Sequence, residues 1–219
     1  MTWLVVVAAV ALFASPLAAA LPAAKTVAEI VQILADQTQV PNLVSGVILH
    51  TRLFDTISEV VVFTLAALGV RHLLAAETAP RQIRALDDPP SVVLCELGAT
   101  ISALIAVELA LRGHLTPGGG FAAGVAGGTG VGLLLISGGA SRAERLYRRY
   151  RADLLEKLAV LGFIVVAFLL LIGVNLPPGA TGTLLSGGWI PVLNVLVAIK
   201  VTLGSWAMVQ LFVRYRGVL

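Results

Sequence analysis

The sequence predicts an all-α integral membrane protein with about six transmembrane helices and both termini cytoplasmic, and three observations carry that prediction. First, 58% of the 219 residues are hydrophobic and only 12% are charged, about half the charged share of a soluble domain. Second, the apolar residues gather into six runs, 2–21, 56–75, 91–111, 119–136, 154–176 and 189–213. Each comes near the ~20 residues a helix needs to cross the hydrocarbon core. Third, the arginines collect at Arg71, Arg81 and Arg84, at Arg142, Arg145, Arg148, Arg149 and Arg151, and at Arg214 and Arg216. All three clusters fall on one side of a six-span alternation, the side that basic loops hold in the cytoplasm. The implied location is the cell inner (plasma) membrane, multi-pass. A net charge of +3 is too small to argue for nucleic acid, and the single cysteine, Cys95, rules out an internal disulfide. No metal-ligand spacing, haem signature or cofactor tether occurs, and no connecting segment has room for a soluble catalytic domain. The reading is a protein without cofactor or metal, and not an enzyme.

The first run has two readings. Leu4–Phe13 is short and Ser15-Pro16 before Ala18-Ala19-Ala20 resembles a signal-peptidase site, but Met-Thr-Trp gives no basic start, which favours a retained helix. Next, Thr26-x-x-Glu29 is a capping box ahead of Ile30, Val31 and Leu34 at helical spacing. It predicts a short amphipathic helix on the outer surface, ending before Pro41. Thr56-x-x-Glu59 reads as another capping box, at the mouth of the second span. The 78–90 segment is a polar linker; Pro89 and Pro90 oppose helix continuation and Ser91 can cap the next helix. Ser141-x-x-Glu144 opens a basic helix that anchors at the interface. The expected organisation is residues 1–77, a 78–90 linker, and 91–219.

The glycines carry the next signal. Gly120, Gly124, Gly128 and Gly132 recur every fourth residue in the fourth span, leaving a side-chain-free groove against which another helix can pack closely. Neither a Gly-x-x-x-x-Gly-Lys-Ser/Thr loop nor a Gly-x-Gly-x-x-Gly after a strand is present, so nucleotide binding is excluded. An independent small transporter would call for an inverted repeat, and the sequence has none beyond generic hydrophobicity.

Ionisable groups inside spans are the ion-path candidates, because each costs a few kcal/mol in hydrocarbon unless it faces protein or water. Lys200 lies near the middle of the last span, with Gly204 one turn away making room beside it. Glu96 and Glu108 lie in the third span about 120° apart and are not one carboxylate pair; Glu108 and Arg112 are also spaced as an ordinary helix ion pair. Glu59 and Asp55 share a helix face at a span mouth, where two acids can cap the helix or admit cations. His114 stands near an interface with a neutral-range pKa. Asn194 and Gln210 read as hydrogen-bonding glue between helices.

Gly113-His114-Leu115-Thr116-Pro117-Gly118-Gly119-Gly120-Phe121, the preceding acid-bearing span, and a last span opening Pro191-Val192-Leu193-Asn194 and carrying Lys200 resemble the B subunit of Mrp-type multisubunit sodium/proton antiporters over about residues 90–216. Ala122-Ala123 departs from the family, which often has glutamine or glycine after the phenylalanine. Val47-Ile48-Leu49-His50-Thr51-Arg52-Leu53-Phe54-Asp55-Thr56-Ile57-Ser58-Glu59, running into Ala67-Leu68-Gly69-Val70, is similar to the C-terminal end of the antiporter's large A subunit. The resemblance implies a subunit that works with other membrane subunits and lipid, on protons and sodium ions, with Glu59 on the ion route. The alternative is a purely structural scaffold subunit of a complex I-related membrane complex such as a membrane-bound hydrogenase.

Overall fold

The structure, a computed structural model, describes residues 26–78, 86 and 88–216, except for the side chains of residues 138–143 and 216. The expected 2–21 span, most of the 78–90 linker, Arg81, Arg84 and the Ser141 cap lie outside what is described. The chain divides into two compact units, Met1–Ile33 and Leu34–Leu219.

Helix α1 (Val27–Thr38) opens with a true capping box. The Thr26 amide donates to Glu29 Oε2 at 2.8 Å and the Glu29 amide donates to Thr26 Oγ1 at 3.3 Å. These bonds hold the Glu29 carboxyl below the usual carboxylate range. A short turn of helix, α2 (Leu43–Gly46), passes into a π-helical turn, Val47–Thr51. There follow α3 (Leu53–Leu73), α4 (Pro89–Arg112), α5 (Gly120–Leu134, extended by a π-helical turn at Leu135–Gly139), α6 (Ala140–Arg149), α7 (Ala152–Leu171) and α8 (Ile190–Arg216). Among the described residues, five helices are long and apolar enough to span a membrane: α3, α4, α5, α7 and α8. They match the expected second to sixth runs.

Two expected helix starts differ. Helix α3 begins at Leu53, so Thr56 is already one turn inside it. Its buried hydroxyl donates to the Ile48 carbonyl at 3.2 Å rather than forming a box with Glu59. Pro89 and Pro90 do not end a helix but begin one. They occupy its first two positions, where a missing N–H costs nothing, and Asp88, not Ser91, is the cap, accepting from the Ser91 amide at 3.1 Å.

Successive spans alternate in direction, which gives the molecule two ends. One, the loop face, gathers residues 42–52, 113–119 and 174–189. The other, the arginine face, gathers Arg71, α6 and Arg214, where Glu144 lies 2.5 Å from Arg148 and 3.9 Å from Arg214. Helix α8 is the hub, packed against α5, α7, α3 and α4, and α5 also packs against α4. Phe163, Leu193, Val197, Val201, Leu53 and Val60 form the main core where α3, α7 and α8 meet.

The α5–α8 seam shows what the glycines do. A Cβ at Gly120 would stand 2.5 Å from the Asn194 carbonyl, at Gly124 2.3 Å from Val201 Cβ, and at Gly128 2.7 Å from Ser205 Cβ. The groove is therefore filled by the chain's own last helix. Gly132 has open space around it. Four-residue steps drift by about 40° on a 3.6-residue helix, so the fourth glycine has rotated off the seam.

Candidate functional site

Two cavities flank α3 on different faces, one nearer each end. The loop-face cavity, about 640 Å³, is lined from α3 by Glu59, Val62, Phe63 and Ala66, from α8 by Asn194 and Val197, and by the Pro117–Phe121 turn. The backbone of that turn explains its glycines. Gly118 and Gly119 have φ of 144° and 92°, values that side-chain-bearing residues avoid. The turn delivers the Gly120 amide to Asn194 Oδ1 at 2.9 Å, which fixes the amide's orientation. Asn194 is 2% exposed and its Nδ2 has no partner among the described residues.

The arginine-face cavity, about 370 Å³, is lined by Thr64, Ala67, Arg71, Tyr147, Asp153, Glu156, Lys157, Val160 and Lys200 among others. At its inner end the Lys200 ammonium, 1% exposed, pairs with the Glu156 carboxylate, 18% exposed. The pair solves the problem that Lys200 poses in hydrocarbon, since two compensated charges cost far less than one alone. The Phe63 ring centroid is 5.0 Å from Lys200 Nζ, within cation–π range. Gly204 is the void that makes this cluster possible. A Cβ there would lie 2.6 Å from Phe63 Cε1, 3.1 Å from Glu156 Oε1 and 3.3 Å from Lys200 Nζ.

At the mouth of the arginine-face cavity, Tyr147 packs edge-on against Trp206, centroids 5.3 Å apart. Burial, with the Glu156 and Asp153 charges, pushes its phenol above the usual range.

The other sequence candidates sit elsewhere. Asp55 pairs with Arg52 at 2.5 Å, and Glu108 with Arg112 at 2.8 Å; both are exposed helix pairs. Glu96 is exposed on the outer side of α4 and lines neither cavity. His114 is completely buried. Its Nε2 is 3.3 Å from the Thr183 carbonyl, and its own carbonyl accepts from the Asn42 amide at 3.2 Å. Burial pushes this histidine below its usual pKa, so it is a neutral clasp between the two loops. Gln210 is on α8, its Oε1 without a partner among the described residues.

Glu156 and Phe63 escape a reading of the sequence. Glu156 is an acid inside an apolar run, and that is its one visible signal; its partner is 44 residues away. No group of three or more His, Cys, Asp and Glu able to hold a metal ion occurs among the described residues.

The 42–45 segment is stitched to the 113–116 turn. Asn42 Nδ2 donates to the carbonyls of Gly113 at 2.7 Å and Thr116 at 2.9 Å, and Ser45 Oγ donates to Gly113 at 2.7 Å.

Residues 90–207 match the family described as a domain related to the MnhB subunit of Na+/H+ antiporters. A probable K(+)/H(+) antiporter A/B subunit of Rhizobium meliloti (strain 1021) is 32% identical over 133 residues, 49% of this chain. The match takes in only 13% of that relative's length. Two solved structures share the fold. One is a chain of the membrane-bound sulfane sulfur reductase, an archaeal respiratory membrane complex, with a TM-score of 0.72, 23% identity and 97% of both chains covered. The other is a chain of the Mrp complex from Dietzia sp. DQ12-45-1b, with a TM-score of 0.62 and 21% identity, covering 98% of this chain and 26% of that one. With more than half of its length inside the matched region, the chain belongs to the family of membrane domains related to the antiporter MnhB subunit.

Proposed function

We propose that this chain is a non-catalytic membrane subunit of a multisubunit cation/proton antiporter, contributing part of the ion path from its α3–α7–α8 core. The observation that carries the reading is the Glu156–Lys200 pair on the wall of the arginine-face cavity, with Phe63 of the loop-face cavity against its ammonium. A scaffold has no use for a lysine at that depth, where an apolar residue would serve as well. Glu59, on the loop-face cavity, is the carboxylate that takes a proton or sodium ion there, and Lys200 is the fixed charge that a moving cation must displace. In this arrangement the loop face is outside the cell and the arginine face cytoplasmic, as the arginine distribution favours. Residues 1–77 act as the end of an A-type subunit and residues 91–219 as a B-type domain; the A/B designation of the Rhizobium relative supports that division.

Purification of the tagged chain in mild detergent should recover other antiporter-type subunits. In vesicles carrying that assembly, Lys200→Ala should remove cation-driven proton exchange while the complex still forms. Exchange at the parental rate in the assembled variant would refute a transport role. The scaffold reading has one specific support, the full-length likeness to a chain of a respiratory complex. It predicts instead that variants at Glu59 and Lys200 transport normally whenever the complex assembles.

A further inference from the structure

We infer that Phe63 is the gate of this path: its ring closes the loop-face cavity off from the arginine-face cavity, and Lys200, anchored by Glu156, holds the ring in place. The inference rests on the antiporter reading for what passes the gate, but not for the gate's existence.

The placement of four side chains carries it. Phe63 lines the loop-face cavity, while its neighbour Thr64 lines the other. Lys200 lines the arginine-face cavity, while Val197, one turn earlier on α8, lines the loop-face one. On α3 the two linings interleave, with Ala66 on the loop-face side lying past Thr64 on the other, so the cavities flank different faces of the helix, and between them the Phe63 ring stands over the Lys200 ammonium at 5.0 Å. An apolar ring across a narrow passage excludes water and stops ions by dewetting rather than by charge. A cation held against the ring face makes the closed position the preferred one.

The same cluster shows how the gate is seated. Phe63 Cε1, Glu156 Oε1 and Lys200 Nζ fill the space that Gly204 leaves free of a side chain, so a Cβ there would push the ring and the pair out of place. Glu156 is here a positioning residue: it touches no ion in the loop-face cavity and sets where the lysine head sits. Glu59 lies one turn before Phe63 on α3, so a cation taken up there arrives directly at the ring.

The test uses the complete assembly in vesicles, in a Cys95→Ser background. Ala66→Cys reports the loop-face cavity and Ala207→Cys the arginine-face cavity, each probed with a membrane-impermeant thiol reagent from either side. With Phe63 intact, each cysteine should react from its own face, at least tenfold faster than from the other. Phe63→Ala should bring both cysteines within reach of both faces and raise passive proton leak several-fold. Phe63→Leu, which keeps the plug but loses the cation–π hold, should fall between, and it decides the matter if the alanine variant does not assemble. Reaction of either cysteine from both faces with Phe63 present would overturn the gate, as would tight, face-restricted behaviour in an assembled Phe63→Ala or Phe63→Leu variant. Absence of cation-driven exchange in the parental assembly would instead sink the antiporter reading, with the thiol arm still deciding the gate.

Discussion

Replacing Gly124 with alanine tests the α5–α8 seam, and Gly132 supplies the control on the same helix. The new methyl at position 124 would sit 2.3 Å from Val201 Cβ and 2.6 Å from its Cγ1. Carbon atoms rest at about 3.5–4.0 Å, so the two helices must part by about 1.2 Å at this level. Overpacking of this kind costs about 1–3 kcal/mol. The parting also stretches the 2.9 Å bond from the Gly120 amide to the buried Asn194 Oδ1. Losing it leaves a donor unsatisfied, at about 1–3 kcal/mol more. The sum is about 2–6 kcal/mol of destabilisation, against up to ~1 kcal/mol gained from alanine's helix propensity. At Gly132 nothing lies within 4 Å of the added carbon, so only the propensity gain remains. In a thermal assay following loss of monodisperse tagged protein in detergent, Gly124→Ala should lower the midpoint by many degrees, and Gly132→Ala should leave it unchanged or raise it slightly. Equal midpoints for the two variants would refute the seam.

Breaking the Glu156–Lys200 pair by Lys200→Met alone should destabilise by up to about 3–5 kcal/mol, because the half-buried carboxylate is left unpaired, whereas the Glu156→Gln/Lys200→Met double variant should recover most of that. A double-mutant cycle of thermal midpoints checks this, and additive single effects would contradict the coupling. His114 has a depressed folded pKa. Its clasp is therefore intact above the unfolded imidazole's pKa of about 6.5 and weakens as pH falls below it. Protease nicking of the 177–188 loop should thus rise between pH 7.5 and 5.5 in the parent, and be high and pH-independent in His114→Ala. Glu59→Gln should cut cation-driven exchange at least tenfold in the assembled complex without lowering its yield; unchanged exchange would remove Glu59 from the path.

Hydropathy alone locates the five described spans to within a few residues, because a 20-residue apolar run has few other ways to be satisfied. Thr26-x-x-Glu29 and Thr56-x-x-Glu59 are the same pattern, yet only the first caps a helix. The second is overridden by the π-helical turn at Val47–Thr51, which starts the helix three residues early, and no local motif encodes that. The Asp87-Asp88-Pro89-Pro90 run reads as a break because proline ends helices, but with an acidic cap before it the same proline begins one. Lys200 is conspicuous as a lone charge in a long apolar helix. Glu156 is not, since it sits beside Asp153 and Lys157 in what looks like interfacial polarity, and only the packing of α7 on α8 brings it to the lysine. Phe63 is one apolar residue among many on α3; its meaning comes wholly from what lies on either side of it.

The stitch between residues 42–45 and the 113–116 turn is made almost wholly to carbonyl oxygens. Every residue has a carbonyl, so the side chains of the receiving turn can drift over evolutionary time without cutting the stitch. The freedom stops at Gly113, where a methyl would lie 2.6 Å from the Gly119 Cα and 2.8 Å from the Leu109 carbonyl. Selection on this joint thus falls on two donors, Asn42 and Ser45, and on one backbone shape. A joint of that kind can persist between two halves whose sequences otherwise diverge freely, whether they are carried on one polypeptide or on two.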